Sequence, residues 1–483
     1  MNYNKLTIKD AHEKLKRREI TCVDLVTDCF KQIRKYDETI HAFLTLCEES
    51  ALLEAVEVDR KIERGDEIGV LCGIPYSVKD VILTKGVRTT AGSKMLENFI
   101  APYDATVIKK LKNAGAILIG KTNCDAYGHG SSTENSDFMV TRNPWDTERI
   151  AGGSSGGAAA AVAMDMCLFS LGEDTGGSIR QPAALCGVTG LKTSYGRVSR
   201  YGSIPYASSL DSIGPITKSA ADAALVLASI AGRDKHDHTT VPTELTDAKT
   251  TSTKKKLTIG VPKEYFSNEL NIDIRKKIFE AIAVFKKIGY AVKNISLPHT
   301  KYSIATYYII APAETSTNLE KLDGIRYGHR TNESTNLENF YKNSRGEGFG
   351  EETKRRIMIG TYVLSAGYFD AYYKKAQKVR TLIKNDFENA FKECDIILSP
   401  TSPFTAFTVG EKASDPLSMY LADIYTIGFS LAGLPTISVP CGLVDNLPVG
   451  MQLSGKYLDE ATVLTCANDY QSATSFHTKK SHA

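Results

Sequence analysis

The most constraining feature of this 483-residue chain is a segment, residues 150–215, in which glycine, serine and alanine dominate. Its two glycine-rich turns, GGSSGG and DTGGSIR, are separated by AAAAVAMDMCLFSL, an apolar run that predicts a buried helix and a buried strand. A flexible linker would not carry such a run. The glycines therefore indicate turns that need positive φ or close backbone approach inside a packed core.

Helices and short apolar runs alternate ahead of this segment. Residues 7–35 predict two helices that begin after Thr7 and Thr21, each of which stands three positions before an aspartate. The run GVLCGIPYSVKDVIL predicts a buried strand, and TVIKKLKNAGAILIGKTN predicts a helix followed by another buried strand. This alternation predicts an α/β fold with a central mixed β-sheet flanked by helices.

The domain organisation that we expect is a single large domain over residues 1–483. Its parts are the N-terminal helices (1–65), a core with the glycine-rich turns (66–232), a polar surface connection (233–256) and a second half that completes the core (257–483). In that second half LTIGVPKEYF predicts a strand and IRKKIFEAIAVFKKIGY an amphipathic helix. A long helical run is predicted at about 352–393, followed by strands in CDIILSPTSP and PTISVPCG.

Composition excludes several classes of function. The 59 basic and 56 acidic residues are too balanced for a surface that binds polyanions by itself. The ten cysteines form no C-x-x-C pair, so we expect buried free thiols and no metal site. The N-terminus lacks the apolar region of a secretory signal, and no run is long and apolar enough to span a membrane. These features predict a cytoplasmic protein with no membrane association.

Two serines in the glycine-rich turns, Ser154 and Ser178, are candidate nucleophiles. A serine needs a base to take its proton and donors to hold the developing oxyanion. The backbone N–H groups of Thr175, Gly176, Gly177 and Ser178 are suited to act as those donors, in an oxyanion hole. Lys79 ends an apolar strand, and a desolvated lysine has a lowered pKa and can serve as a neutral base. Asp80 beside it is expected to be structural.

Other functions fit parts of the same pattern. Residues 152–156 match G-x-S-x-G, which would make Ser154 the nucleophile of an α/β-hydrolase with a histidine further along the chain. The later histidines (236, 238, 299, 329, 477 and 482) mostly lie in polar stretches. A phosphate-binding loop would require a G-K-[ST] element, which GGSSGGAAAA lacks. A catalytically inactive scaffold is the remaining alternative of another class.

The run AGGSSGGAAAAVAMDMCLFSLGEDTGGSIRQPA resembles the long signature of the amidase-signature family. The resemblance implies a Ser–cis-Ser–Lys triad in which Ser178 is the nucleophile, Ser154 relays its proton through a cis peptide, and Lys79 is the base. Five positions depart from the family: Ala158 stands where many relatives have Ser, Glu173 where Ser or Thr is usual, and Cys124, Ala126 and Tyr127 replace a more common Met, Glu and Phe.

Further segments, including GKTNCDAYGHGSSTENSDF and RRIMIGTYVLSAGYFDAYYKKAQ, resemble one branch of that family, the glutamine-hydrolysing subunits of tRNA-dependent amidotransferases. The resemblance covers essentially the whole chain. It implies that Tyr307, Arg356 and Asp423 hold free glutamine, with Arg suited to the α-carboxylate and Asp to the α-ammonium. Adjacent Tyr308 and Arg355 leave the register of two of these residues open.

The branch also implies partners. Ammonia made from glutamine would pass to a second chain of a heterotrimer with two other subunits, which amidates Glu-tRNA(Gln), Asp-tRNA(Asn) or both. ATP and Mg²⁺ are then expected at a partner subunit, and no cofactor or metal in this one. The misacylated tRNA is expected to bind mainly through a partner. A stand-alone amidase of the same family, acting on another small amide, is the alternative.

Overall fold

A computed structural model describes residues 3–242, 257–266 and 270–481. The α-helices in this part of the chain are α1 (Ile8–Lys16), α2 (Cys22–Ile40), α3 (Glu48–Arg64), α4 (Thr106–Asn113), α5 (Gly156–Ala163), α6 (Arg180–Cys186), α7 (Ala220–Ile230), α8 (Ile272–Lys287), α9 (Ser303–Asn318), α10 (Leu337–Gly348), α11 (Glu351–Leu364), α12 (Lys375–Ala390), α13 (Pro416–Tyr420), α14 (Ile427–Leu431) and α15 (Glu460–Ala473). The strands are β1 (Phe43–Leu46), β2 (Pro75–Lys79), β3 (Ile117–Thr122), β4 (Arg142–Asn143), β5 (Asp146–Ile150), β6 (Phe169–Asp174), β7 (Thr189–Lys192), β8 (Ser212–Thr217), β9 (Thr258–Pro262), β10 (Ala291–Ile295), β11 (Ile396–Pro400), β12 (Thr436–Val444) and β13 (Leu447–Ser454).

A mixed sheet forms the centre of the fold. Over the described residues it has 11 strands in the order β1-β3-β2-β6-β8-β7-β12-β13-β11-β9-β10, while β4 and β5 form a separate hairpin. Strands β3, β2 and β6 run parallel, as do β11, β9 and β10, and antiparallel pairs join the two groups. The predicted α/β fold with a central mixed sheet flanked by helices is therefore confirmed.

The strands around the glycine-rich turns are covered on both faces. Every residue of β2, β3 and β6 is buried, as expected for parallel strands between helices. Helix α5 consists of glycine, alanine and one valine and is buried along its whole length. A Cβ on Gly157 would lie 2.5 Å from the carbonyl oxygen of Ala42, so only glycine allows the helix to approach this closely. Small residues thus let α5 pack against the sheet.

The N-terminal helices begin where the sequence predicts. The hydroxyls of Thr7 and Thr21 accept hydrogen bonds from the backbone N–H groups of Asp10 and Asp24, and the second pair completes a capping box. The predicted strand in GVLCGIPYSVKDVIL is confirmed but shorter, since β2 covers only Pro75–Lys79.

The prediction of one long helical run at about 352–393 is wrong. Helix α11 ends at Leu364, Ser365 is extended, and Gly367 has a φ of +86°, a conformation that glycine adopts readily. A π-helical turn at Asp370–Lys374 then leads into α12. The predicted connection at 233–256 is turn-rich and largely exposed as far as residue 242, and its remainder lies outside the described residues.

Candidate active site

Lys79 and Ser154 are in direct contact in the interior. Lys79 is the last residue of β2, and Ser154 lies in the turn before α5, where the Gly153–Ser154 peptide is cis. The Lys79 Nζ donates to the Ser154 Oγ at 2.7 Å, and both residues are fully buried. The basic group beside Ser154 is therefore a lysine amine, whereas an α/β-hydrolase would place a histidine there.

Ser178 lies in the turn between β6 and α6, at the carboxyl end of the strand beside β2. The residue is 8% exposed, more than the fully buried Lys79 and Ser154. The backbone N–H of Ser155 donates to the Ser178 carbonyl at 3.1 Å, which ties this turn to the turn that carries Ser154. The fold thus brings the three predicted triad residues to one edge of the sheet.

The Ser178 turn offers backbone donors. Gly177 has a φ of +152°, and among the described residues none accepts a hydrogen bond from the N–H groups of Gly176, Gly177 or Ser178. A buried ion pair braces the turn, because the Arg180 guanidinium bonds both carboxylate oxygens of Asp174 at 3.0 Å. The turn is therefore held in shape with donors left for an oxyanion, which fits the predicted oxyanion hole.

The predicted glutamine ligands surround this turn. A Cβ on Gly176 would lie 2.8 Å from the Tyr307 hydroxyl, and a Cβ on Gly177 would lie 3.2 Å from the Asp423 Oδ1. Tyr307 comes from α9, and Asp423 ends a 3₁₀ turn at Leu421–Asp423. Glycines at 176 and 177 therefore let side chains from the second half of the chain approach the backbone around Ser178.

Asp423 is a buried carboxyl whose hydrogen-bond donor is a serine. The Ser131 Oγ donates to the Asp423 Oδ2 at 2.6 Å. Burial raises the pKa of Asp423 to about 7, because the charged form loses hydration, and the Ser131 hydrogen bond offsets only part of that effect. The group consequently titrates near neutral pH.

Arg356 points into the protein and its neighbour Arg355 points out. Arg356 is 3% exposed, its Nε donates to Glu352 at 2.8 Å and its Nη1 to the Tyr206 hydroxyl. Its guanidinium also lies 5.1 Å from the centre of the Tyr308 ring. Tyr308 thus packs against the arginine while Tyr307 reaches the Ser178 turn, so the geometry favours the predicted register at both positions.

Sequence reasoning missed three polar neighbours of these residues, and a histidine whose ring lies 4.7 Å from the ring of one of those neighbours, Tyr206. Tyr206 bonds Arg356, Ser131 bonds Asp423, Glu352 pairs with Arg356, and the buried ring of His129 contacts Thr353 and Thr315 hydroxyls. Tyr206, Ser131 and His129 lie inside segments that resemble the family, but nothing in their spacing reveals which side chains they contact.

Asp80 lies in a buried network of an ion pair and hydrogen bonds. The Asp80 carboxylate pairs with Lys121 at 3.0 Å and accepts hydrogen bonds from the Thr90 N–H and hydroxyl, as its predicted structural role requires.

All ten cysteines are free, and every one except the half-buried Cys47 is buried, which confirms the prediction of buried free thiols. Within the described ranges no group of His, Cys, Asp and Glu is arranged to hold a metal ion, and no helix is long and apolar enough to cross a membrane.

The fold and this arrangement define the class of protein: the chain belongs to the amidase family, whose family model, described as Amidase, matches residues 24–464. Among individual relatives, the A subunit of the glutamyl-tRNA(Gln) amidotransferase of Geobacillus thermodenitrificans is 53% identical over 476 residues, covering 98% of each chain.

Solved structures agree with that relationship. The crystal structure of the A subunit of glutamyl-tRNA(Gln) amidotransferase from Thermotoga maritima is 41% identical, with a TM-score of 0.79 and coverage of 98% of this chain and 96% of that one. A bacterial aryl acylamidase of the amidase signature family is 25% identical, with a TM-score of 0.86 and coverage of 98% and 97%. The fold is therefore shared between subunits of amidotransferases and an enzyme named for acylamide cleavage.

Proposed function

We propose that this chain hydrolyses glutamine to glutamate and ammonia, as the A subunit of a tRNA-dependent amidotransferase. The observation that carries the proposal is the Lys79–Ser154 contact beside the Ser178 turn, with Tyr307 and Asp423 at that same turn. The 53% identity to a relative of that name along 98% of the chain supports the choice of substrate.

The proposed reaction begins with proton transfer from Ser178. Its Oγ attacks the carboxamide carbon of glutamine as Ser154 accepts the Ser178 proton and passes its own to the unprotonated amine of Lys79. The electron pair of the carbonyl moves onto oxygen, which the backbone N–H groups of the turn stabilise. The proton then returns from Lys79 through Ser154 to the leaving nitrogen, the C–N bond breaks, and ammonia departs from a γ-glutamyl ester on Ser178.

Water completes the cycle in the same manner. It loses a proton through Ser154 to Lys79, attacks the ester carbon, and the returning proton releases Ser178 with glutamate as product. Neither half of this cycle uses a metal or an organic cofactor. The donors and the base are all residues of this chain.

Two charged side chains are proposed to bind the α-carboxylate and α-ammonium groups of glutamine. In this proposal the Arg356 guanidinium binds the α-carboxylate and the ionised carboxylate of Asp423 binds the α-ammonium. Tyr307 closes the pocket next to Gly176. A cavity of about 140 Å³ is lined in part by Arg356, Glu352 and Tyr420.

The proposed partners are two further subunits in a cytoplasmic heterotrimer. One of them would use ATP and Mg²⁺ to activate the misacylated tRNA and would receive the ammonia. This division of roles fits the charge of the chain, since a formal net charge of +3 gives little counterion release on tRNA binding.

A stand-alone amidase remains the second candidate function, favoured by the similarity to an aryl acylamidase. Co-purification of two further subunits from the native source would distinguish the two.

The direct test is ammonia release from glutamine by the purified chain, alone and with its partner subunits, in excess chelator. We expect glutamine-dependent release that survives chelation, because the proposed chemistry uses no metal. Amidation of tRNA in the same preparation should stop, since ATP-dependent activation needs Mg²⁺. Loss of hydrolysis on chelation, restored by added metal, would refute the mechanism.

The affinity for glutamine should depend on pH through Asp423. Its pKa of about 7 means that below this pH the carboxyl is neutral and cannot pair with an α-ammonium. We expect the KM for glutamine to be constant above pH 7 and to rise roughly tenfold per unit well below it. The measurement is KM against pH for the wild type and for Asp423→Asn. A wild-type KM that stays flat to pH 5 would contradict this role.

A further inference from the structure

Glu173 places a carboxylate against Lys79, at a position where the amidase-signature resemblance leads us to expect Ser or Thr. The Lys79 Nζ lies 2.9 Å from the Glu173 Oε2, and the two side chains are 0% and 3% exposed. Two opposite charges are therefore buried together beside Ser154. Any role of Glu173 in catalysis rests on the proposed function, in which Lys79 is the base.

The contacts of Lys79 match those of an ammonium ion. Its three hydrogens have three acceptors, the Ser154 Oγ at 2.7 Å, the Glu173 carbonyl oxygen at 3.2 Å and the Glu173 Oε2 at 2.9 Å. An ammonium with all its hydrogens engaged has no lone pair with which to accept a proton from Ser154. This arrangement is consequently a resting state that must lose one proton before Lys79 acts as a base.

On the side away from Lys79, the Glu173 carboxylate contacts Thr175, which also contacts Asp211. The Thr175 hydroxyl lies 2.6 Å from the Glu173 Oε1 and 2.8 Å from the Asp211 Oδ1, and its single hydrogen can serve only one of them. Burial, and secondly the nearby Glu173, raise the pKa of Asp211 well above its usual range. The raised pKa of Asp211 favours its neutral form, which leaves the Thr175 hydrogen for the Glu173 carboxylate on the side away from Lys79.

Other ionisable groups around the pair are more distant or already paired. Those that face it are Asp125, Cys124 and His129, together with Asp211 and the Asp80–Lys121 pair. Burial raises the pKa of Asp125 to about 6, keeps Cys124 a neutral thiol by raising its pKa, and lowers the pKa of His129 well below its usual range. None of the three forms a hydrogen bond with Lys79 in the described part of the chain, so Glu173 is the dominant partner.

We propose that Glu173 is a positioning residue that holds Lys79 on Ser154 as an ammonium at rest and thereby sets the pH at which the site becomes active. A nearby carboxylate favours the charged form of an amine, whereas burial alone favours the neutral form. Glu173 therefore moves the onset of activity to higher pH. Once the pair has released one proton to solvent, the Lys79 amine can accept the proton that Ser154 passes on from Ser178.

The test is the pH profile of kcat, measured at saturating glutamine, for Glu173→Gln, because KM already varies with pH through Asp423. Glutamine keeps the size and an acceptor oxygen but removes the charge, and a buried ammonium without its partner is strongly disfavoured. Lys79 then loses its proton at lower pH, so we expect the acidic limb of the profile to move down by about one pH unit or more. Ammonia release from glutamine gives the profile, and Glu173→Ser is a second variant in case the glutamine variant does not fold.

The matched control is Glu460→Gln, which removes the charge of another fully buried carboxylate, paired with Arg197 at 3.1 Å and distant in sequence from the site. It should lower stability and leave the pH profile in place. An acidic limb that coincides with that of the wild type in a folded Glu173 variant, or that moves to higher pH, would overturn the proposal.

A second readout separates this inference from the proposed substrate. Phenylmethylsulfonyl fluoride transfers its sulfonyl group to a reactive serine oxygen and releases fluoride, so intact mass reports the rate of Ser178 modification without glutamine. The same downward pH shift is expected for the Glu173→Gln variant. If the wild type is modified at Ser178 but does not hydrolyse glutamine, the proposed function fails while the effect of Glu173 is still measured.

Discussion

Replacing Ser178 by alanine is expected to reduce glutamine hydrolysis by a factor of about 10⁴ or more, since without the Oγ no ester intermediate forms. The protein should remain folded, because the turn is braced by the Asp174–Arg180 pair and the Ser155–Ser178 backbone bond, neither of which uses the hydroxyl. The measurement is ammonia release, together with intact mass after an acid quench. Wild-type protein should carry a γ-glutamyl adduct on Ser178, and the variant none.

Ser170→Ala is the matched control for this loss. Ser170 is a fully buried serine of β6 whose hydroxyl donates to the Ser77 carbonyl at 3.1 Å, so its removal costs about 1 kcal/mol of stability without touching the site. Lys79→Arg should be as inactive as Ser178→Ala, because arginine stays protonated and cannot accept a proton from Ser154. An adduct that maps to Ser154 would reverse the assignment of nucleophile and relay.

Arg356→Ala and Asp423→Ala should separate glutamine use from the rest of the amidation reaction. Each removes one buried charge assigned to free glutamine, and we expect glutamine-dependent amidation by the full complex to fall at least about 30-fold, as for loss of one partner in a buried charge pair. Amidation driven by added ammonium should persist, since free ammonia does not need this site. The measurement is the ratio of the two activities in one preparation.

Arg355→Ala is the control that the chain itself provides. Arg355 has the same charge and the adjacent position, but its side chain is 44% exposed, and it pairs with the Glu352 oxygen that Arg356 does not use. Its removal should leave both activities near the wild-type level. Equal loss of both activities in the Arg356 or Asp423 variant would mean that these residues serve assembly or tRNA docking, and their assignment to glutamine would be withdrawn.

The part of the site that is local in sequence could be predicted. Both serine turns are marked by their glycines, and Lys79 by its place at the end of an apolar strand. Because β2 and β6 are parallel neighbours, their carboxyl ends meet at one edge, and the predicted burial of Lys79 is observed there. The mixed sheet and the first two helices follow from the same kind of periodic and capping signals.

Contacts between distant residues could not be predicted. Nothing in the sequence pairs Glu173 with Lys79, because the contact depends on how two strands align and on side-chain direction. The inward direction of Arg356 depends on which face of α11 packs against α9, where Gly360 meets the carbonyl of Pro312. The break after Leu364 was missed because a single glycine is a weak signal within a helical pattern.

The ion pair between Asp174 and Arg180 supports the Ser178 turn, and Arg180 in turn depends on residues that are synthesised late. Arg180 also donates to the Thr426 carbonyl and to Gln452, and strand β7 pairs with β12, so the support of this turn comes from the far half of the chain. A nascent polypeptide that has left the ribosome as far as residue 232 already contains Lys79, Ser154 and Ser178, but it lacks the partners that Arg180 has at Thr426 and Gln452. We therefore expect the glutamine site to be completed only after the second half of the chain has been synthesised and has packed against the first half.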